Sequence, residues 1–177
     1  MAAEGGISFE QLVAEAQGQE FRGWDFSFMN GRWRECPTSW AYRQRVLRHL
    51  RQASSVLDMG TGGGEFLSSL CPLPPDTCTT EGYRPSIPLA RARLEPLGVE
   101  VLETLPGDRL PFEDARLDLV INRHESFWAR EVHRVLRPGG RFVTQQVRGR
   151  DIIRLNQLLQ AREERELDAW ALDRVAG

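Results

Sequence analysis

Val56-Leu57-Asp58-Met59-Gly60-Thr61-Gly62-Gly63-Gly64-Glu65-Phe66-Leu67 decides how the rest of this chain is read. Val56 and Leu57 close a short apolar run with the character of a buried strand, and Asp58 stands at its carboxyl end. Four glycines, at 60, 62, 63 and 64, then form a tight turn, and Glu65-Phe66-Leu67 opens a helix. Strand, glycine turn and helix start together place a ligand site at the edge of a parallel sheet. Glycine suits the turn because it lets backbone approach a ligand closely, at φ values other residues avoid.

The kind of ligand follows from what the turn lacks. A dinucleotide fingerprint G-x-G-x-x-G started at Gly60 needs glycine at 65 and meets Glu65. A phosphate-cradling loop needs a lysine, and the chain has none; all 23 of its basic residues are arginine. What fits is acidic-x-G-x-G-x-G, from Asp58 to Gly64. This resembles the first motif of class I S-adenosylmethionine-dependent methyltransferases, and the resemblance implies a cofactor without phosphates. Glu65 agrees, since a carboxylate there repels a pyrophosphate and tolerates a zwitterion.

With 177 residues, 41% hydrophobic and 27% charged, the chain has the size and composition of one globular domain. A net charge of −2 speaks against bulk electrostatic capture of nucleic acid, though it does not exclude nucleic acid as a partner. No apolar run approaches the ~20 residues needed to cross a membrane, and no leader pattern opens the chain. Cys36, Cys71 and Cys78 lack paired metal-site spacing, so free thiols and a cytoplasmic setting are expected, with no metal.

Before the glycine turn, Ser8-Phe9-Glu10-Gln11 is a capping box, and Phe9, Leu12, Val13 and Ala16 follow at helical spacing to Gly18. Residues 20–37 are aromatic but aperiodic. They are read as a lid, with Trp24, Phe28, Arg32 and Trp33 as its walls, or equally as a cover for the core. Thr38 or Ser39 should cap a helix running to Ala53, with Trp40, Val46, Leu47 and Leu50 inward and Arg43, Arg45, Arg48 and Arg51 solvated. After the turn, strands are expected at 76–81, 99–102, 116–122 and 141–147. Between them lie a helix capped by Ser86 and stopped by Gly98, and another ending at Pro138-Gly139-Gly140. A long helical stretch starts at Asp151. Alternating strand and helix with short links predicts a doubly wound, mostly parallel α/β sheet of five strands. Residues 1–53 form an N-terminal cap and residues 54–177 the core.

From Ser54 to Val147 the chain looks like the core of the class I methyltransferases. Leu110-Pro111-Phe112 with Leu117-Asp118-Leu119-Val120 matches the family's LPF…FDLV block. Glu131-Val132 with Arg134-Val135-Leu136-Arg137-Pro138-Gly139-Gly140 matches its E-x-x-R-V-L-(K/R)-P-G-G turn. The match carries over the acid that ends the second strand and takes both ribose hydroxyls. Glu81, 23 residues past Asp58, is that acid. Two adjacent donors meeting two acceptor oxygens explains why a carboxylate serves. The resemblance further assigns cofactor contacts to Asp58, Gly60, Thr61, Gly62, Gly82 and Asn122, with Tyr83 over the adenine and Asp108 at its amine. Two departures stand out. Five residues separate Glu81 from Ser86 where the family often has two. The chain also ends at Gly177 without the family's C-terminal hairpin, so it reads as truncated, or as pairing that edge with another molecule in a homodimer.

The resemblance implies in-line methyl transfer from S-adenosylmethionine to an acceptor read as a small molecule, with alignment as the main contribution. His124, just past the fourth strand, is the candidate general base, with Glu125 to orient it or to bind a cationic acceptor. A non-catalytic module that only holds the cofactor is the alternative. A nicotinamide-binding domain is a third reading, disfavoured by Glu65.

Overall fold

The computed structural model describes residues 7–19, 23, 25–32, 34, 38–105, 109–147 and 157–158. Five parallel strands form one sheet in the order β3-β2-β1-β4-β5: β1 Ser55–Met59, β2 Asp76–Glu81, β3 Glu100–Glu103, β4 Leu117–Arg123 and β5 Leu136–Gln145. The helices are α1 Phe9–Gln17, α2 Tyr42–Leu50, α3 Glu65–Ser68, α4 Ile87–Leu94 and α5 Ala129–Val135. Strand β1 is buried along its whole length and β4 along all but Arg123. That is why both read as nearly continuous apolar runs. One core lies on the side of α2 and α4, with Val46, Leu50, Val56, Leu67, Ala90, Leu94, Leu119 and Ile121. The other lies with α5, built from Leu57, Met59, Cys78, Leu117, Val120, Val132 and Val135. The expected doubly wound sheet is present, and all of its pairings are parallel.

Several boundaries differ from expectation for identifiable reasons. The helix before β1 starts at Tyr42, with no side-chain cap, because Thr38 Oγ1 donates to Trp40 O at 2.5 Å instead of capping. The buried stripe is therefore Tyr42, Val46 and Leu50, at strict i, i+4 spacing. Trp40, expected inward, is 46% exposed, and its indole donates to Gln145 Oε1 at 3.2 Å. Ser86 does not cap α4. A short 3₁₀ turn over Arg84–Ser86 leads into that helix, which leaves Ser86 in right-handed helical geometry. A serine in that conformation cannot fold its hydroxyl onto the following amides, and its Oγ accepts from Gly23 N at 3.2 Å. Gly98 does end the helical stretch, in the left-handed region with φ 80. Helix α1 carries the expected reciprocal capping box at Ser8 and Gln11, yet none of its residues is buried.

Strand β5 begins earlier than its apolar run. Leu136 pairs with Leu117 and Arg141 with Leu119, so residues 137–140 loop out opposite Asp118. Pro138-Gly139-Gly140 thus makes a turn inside the strand, with Gly139 at φ 81. Gly140 fits closely there, since a Cβ would meet Leu117 O at 3.0 Å and Arg137 O at 2.9 Å. Opposite the loop, Asp118 accepts from the amides of Ser54 (2.6 Å) and Ser55 (3.2 Å) and pairs with Arg137. Burial pushes its carboxyl up, but the two amides and the guanidinium outweigh this and hold it below the usual range.

Candidate functional site

The glycine turn is built by its neighbours. Gly60 N and Thr61 N both donate to Thr80 O on β2, at 3.0 and 3.2 Å. Gly62 N donates to Glu81 Oε2 at 2.5 Å, while Glu81 Oε1 accepts from Tyr83 N at 2.7 Å. Glu81 thus joins the turn after β1 to the turn after β2. The Gly82 amide is a third donor to this carboxylate, which leaves part of its acceptor capacity for a ligand hydroxyl. From the far side, Arg93 on α4 pairs with Glu65 at 2.7 Å and donates to Gly63 O. Nothing in the sequence marks Arg93, which reads as a solvent-facing helix position. Gly23 also approaches here, since a Cβ on it would stand 2.9 Å from Glu65 Oε1. Gly23 therefore lies against the glycine turn.

Two clefts meet at Gly60. A larger one, about 270 Å³, is walled by Glu81, Gly82, Tyr83, Leu105, Leu110, Glu125 and Phe127 among others. The smaller, about 200 Å³, is lined by Asp58, Gly60, Thr61, Glu65, Phe66 and Arg123. Arg123, at the end of β4, lays its guanidinium over the Phe66 ring, 5.7 Å from the centroid. Thr61 is 4% exposed, lies close enough to Asp58 to lower its pKa somewhat, and makes no well-directed hydrogen bond through Oγ1. A hydroxyl held this loosely in a glycine-lined cleft can turn to a polar ligand.

The electrostatics favour a cation. Burial, with the nearby Glu81 charge adding to it, raises the Asp58 carboxyl to about 7. Burial also raises Glu81, and Glu125 adds to it. None of Asp58, Glu81 or Glu125 has an ion-pair partner among the described residues. The raised Asp58 links to stability with a definite sign. Between about pH 4, where an unfolded aspartate ionises, and about pH 7, the folded state holds a proton the unfolded state has lost. Stability therefore falls as pH rises through that window. Asp58→Asn is expected to flatten this fall; denaturant melts of both chains at pH 4.5 and 7.5 check it, and an unchanged pH slope in the variant would contradict the assignment.

The expected site residues are only partly brought together. Asp58, Gly60, Thr61, Glu81, Gly82, Tyr83 and Glu125 line the two clefts. Gly62 serves through its amide to Glu81. Asn122 is fully buried beneath them. Its Oδ1 accepts from Thr144 (3.4 Å) and Gln146 (2.7 Å), and its Nδ2 has no partner among the described residues. His124 lines neither cleft. Its Nε2 lies 3.2 Å from Gln145 Nε2, while the Glu125 carboxylate accepts from Ser126. Phe28 sits in a 3₁₀ turn over Ser27–Met29 and lines neither cleft, and Arg32 pairs with Glu15 of α1 at 2.6 Å. Trp24, Trp33 and Asp108 lie outside the described residues.

Tyr42 and Arg134 have structural roles that the sequence reading did not assign them. Tyr42 is buried, and its hydroxyl donates to Asn122 O at 3.0 Å and lies 3.2 Å from Val143 O, bridging the ends of β4 and β5. Burial, with the Asp58 charge, raises its pKa well beyond the ordinary tyrosine value. The second, Arg134, appears in the sequence only as part of a motif. Its guanidinium is bound by Glu131 and Asp114 and donates to Phe112 O and Leu110 O at 2.7 and 3.0 Å. Glu131 in turn accepts from Leu110 N at 3.0 Å, which fixes Leu110 in the wall of the larger cleft. Among the described residues no cluster of metal-ligating side chains is found, and no helix is long and apolar enough to cross a membrane.

Residues 57–144 match a family model described as a methyltransferase domain. No curated protein matches the chain. Among solved structures, the YcgJ protein of Bacillus subtilis is similar at 23% identity and TM-score 0.50, over 57% of this chain and 48% of that one. PH0226 of Pyrococcus horikoshii gives 24% and 0.50, over 68% and 65%. A geranyl diphosphate methyltransferase in complex with GPP and sinefungin gives 20% and 0.52, over 73% and 57%. At these identities the likeness is one of fold. The chain spans about half the length of the first of these structures.

Proposed function

We propose that this chain, whose residues 57–144 match a methyltransferase-domain model, is a class I S-adenosylmethionine-dependent methyltransferase that binds S-adenosylmethionine across Gly60 and transfers the methyl group to a small-molecule acceptor. The observation that carries the reading is Glu81, whose two oxygens anchor both flanking turns and which lines the larger cleft. The residues fit the cofactor. Glu81 would hold the ribose hydroxyls, with Tyr83, Leu105 and Leu110 around the base. The smaller cleft, with Thr61 and Arg123, would take the amino-acid end. When bound, S-adenosylmethionine supplies a methyl group activated by its sulfonium. The chain's own part is alignment: the glycine turn permits close approach, and the carboxylates around it favour a cationic ligand. Incubation with methyl-labelled cofactor and fractionated cell extract tests the proposal. Label entering a small-molecule fraction supports it, while label entering only protein or RNA moves the acceptor to another class. Binding without any transfer would favour the non-catalytic alternative.

His124 completes the proposal as the base that takes the acceptor's proton. It stands at the end of β4 with a hydrogen-bonded ring, and its backbone adopts φ 67. His124→Ala is expected to leave cofactor affinity nearly intact and to slow transfer about 100-fold. A fall of less than about fivefold with the true acceptor would make the histidine structural.

A further inference from the structure

Glu125 occupies a particular place. A Cβ on Gly60 would meet Glu125 Cβ and Cγ at 2.6 Å and its Oε2 at 2.7 Å, so the glutamate side chain lies flat on the glycine. Gly60 is the residue shared by the two clefts. If the adenosyl part fills the larger cleft and the amino-acid part the smaller, the atom joining them crosses Gly60 beside this carboxylate. That atom is the sulfonium. We infer that Glu125 reads the sulfonium charge and so selects the methyl-bearing cofactor over its demethylated product; the inference rests on the cofactor reading proposed above.

Three features support it. The chain doubles back over the glycine turn because His124 takes a left-handed backbone, φ 67, uncommon for a residue with a side chain. The turn is pinned at both ends, by His124 N donating to Gln145 O at 2.9 Å and by Gln146 Nε2 donating to Glu125 O at 3.1 Å. Strain held in place by such contacts is characteristic of functional segments. The Glu125 carboxylate has Ser126 as its hydrogen-bond partner and no cation among the described residues, and its charge adds to the burial that raises Glu81. Independently, the buried Thr61 hydroxyl, which lies against Asp58 and makes no well-directed hydrogen bond among the described residues, lines the adjoining cleft where a polar ligand could engage it. In methyl transfer the carbon–sulfur bond breaks, its electron pair stays on sulfur, and the positive charge is lost as the acceptor gains the methyl. A carboxylate placed at that sulfur then no longer favours the ligand it holds, which promotes product departure.

Calorimetry with three probes separates charge from shape: S-adenosylmethionine, S-adenosylhomocysteine, and sinefungin, which carries an amine where the sulfonium methyl stands. The wild-type chain should bind the two cationic probes at least about tenfold tighter than the neutral thioether. Glu125→Gln, nearly the same size, should abolish most of that preference while leaving S-adenosylhomocysteine affinity within about twofold. Glu125→Asp should retain part of it. An unchanged preference in Glu125→Gln, or equal weakening toward all three probes, overturns the inference. A wild-type chain that binds S-adenosylmethionine and S-adenosylhomocysteine equally overturns it while leaving the cofactor reading intact. One that binds none of the three refutes both.

Discussion

Glu81→Ala is expected to weaken S-adenosylmethionine binding by about 1–3 kcal/mol, a roughly 5- to 150-fold rise in Kd. Two losses combine. The ribose hydroxyls lose their acceptors, and Gly62 N and Tyr83 N lose theirs, which loosens both turns that shape the cleft. Glu81→Gln separates the two. Its amide oxygen can still accept one backbone amide in a side chain of the same shape, so it should restore stability more fully than affinity. Calorimetry gives the affinities and thermal melts the stabilities. Wild-type affinity in the alanine variant would remove Glu81 from the site and with it the main support for the cofactor reading.

Arg134→Ala is the substitution expected to cost most stability, about 2–4 kcal/mol. Arg134 is 15% exposed, as is its partner Glu131. Removing the guanidinium strands the carbonyls of Leu110 and Phe112 and leaves the Glu131 carboxylate without its cation. In a chain of this size each kcal/mol corresponds to about 2–4 °C, so the melt should drop by about 5–15 °C. Arg134→Lys should recover less than half of this, since a point charge cannot span two carbonyls and two carboxylates at once. The same variant should weaken cofactor binding, because Leu110 is held in the cleft wall by this network. A loss below about 1 kcal/mol would show that the carbonyls find other donors.

The sequence made some parts of this molecule legible and hid others, for physical reasons. Strand β4 was read to within a residue because a parallel strand covered on both faces is nearly continuous in apolar residues, and β2 was read at its observed ends because its threonines favour extended backbone between the prolines before it and the turn after it. Gly60 was readable because a turn needing φ 67 is a local property, whereas Glu81 was marked only through the family resemblance, which carries over an acid at the end of the second strand. Tyr42 was not. A bulky Trp two residues earlier competes for the inward place, and only the tertiary fold supplies the carbonyls of Asn122 and Val143 that make a buried tyrosine hydroxyl tolerable. Arg93 was equally hidden, since its partners Glu65 and Gly63 are some thirty positions away in sequence. The doubling back of Glu125 onto Gly60 depends on a left-handed histidine, which no residue preference announces.

The central claim is that the glycine turn holds a sulfonium cofactor and not a dinucleotide, and its most direct test is titration of the wild-type chain with S-adenosylmethionine and, separately, with NAD. One S-adenosylmethionine bound per chain, with no binding of NAD at millimolar concentration, is the predicted result. Binding of NAD with S-adenosylmethionine inert would contradict it.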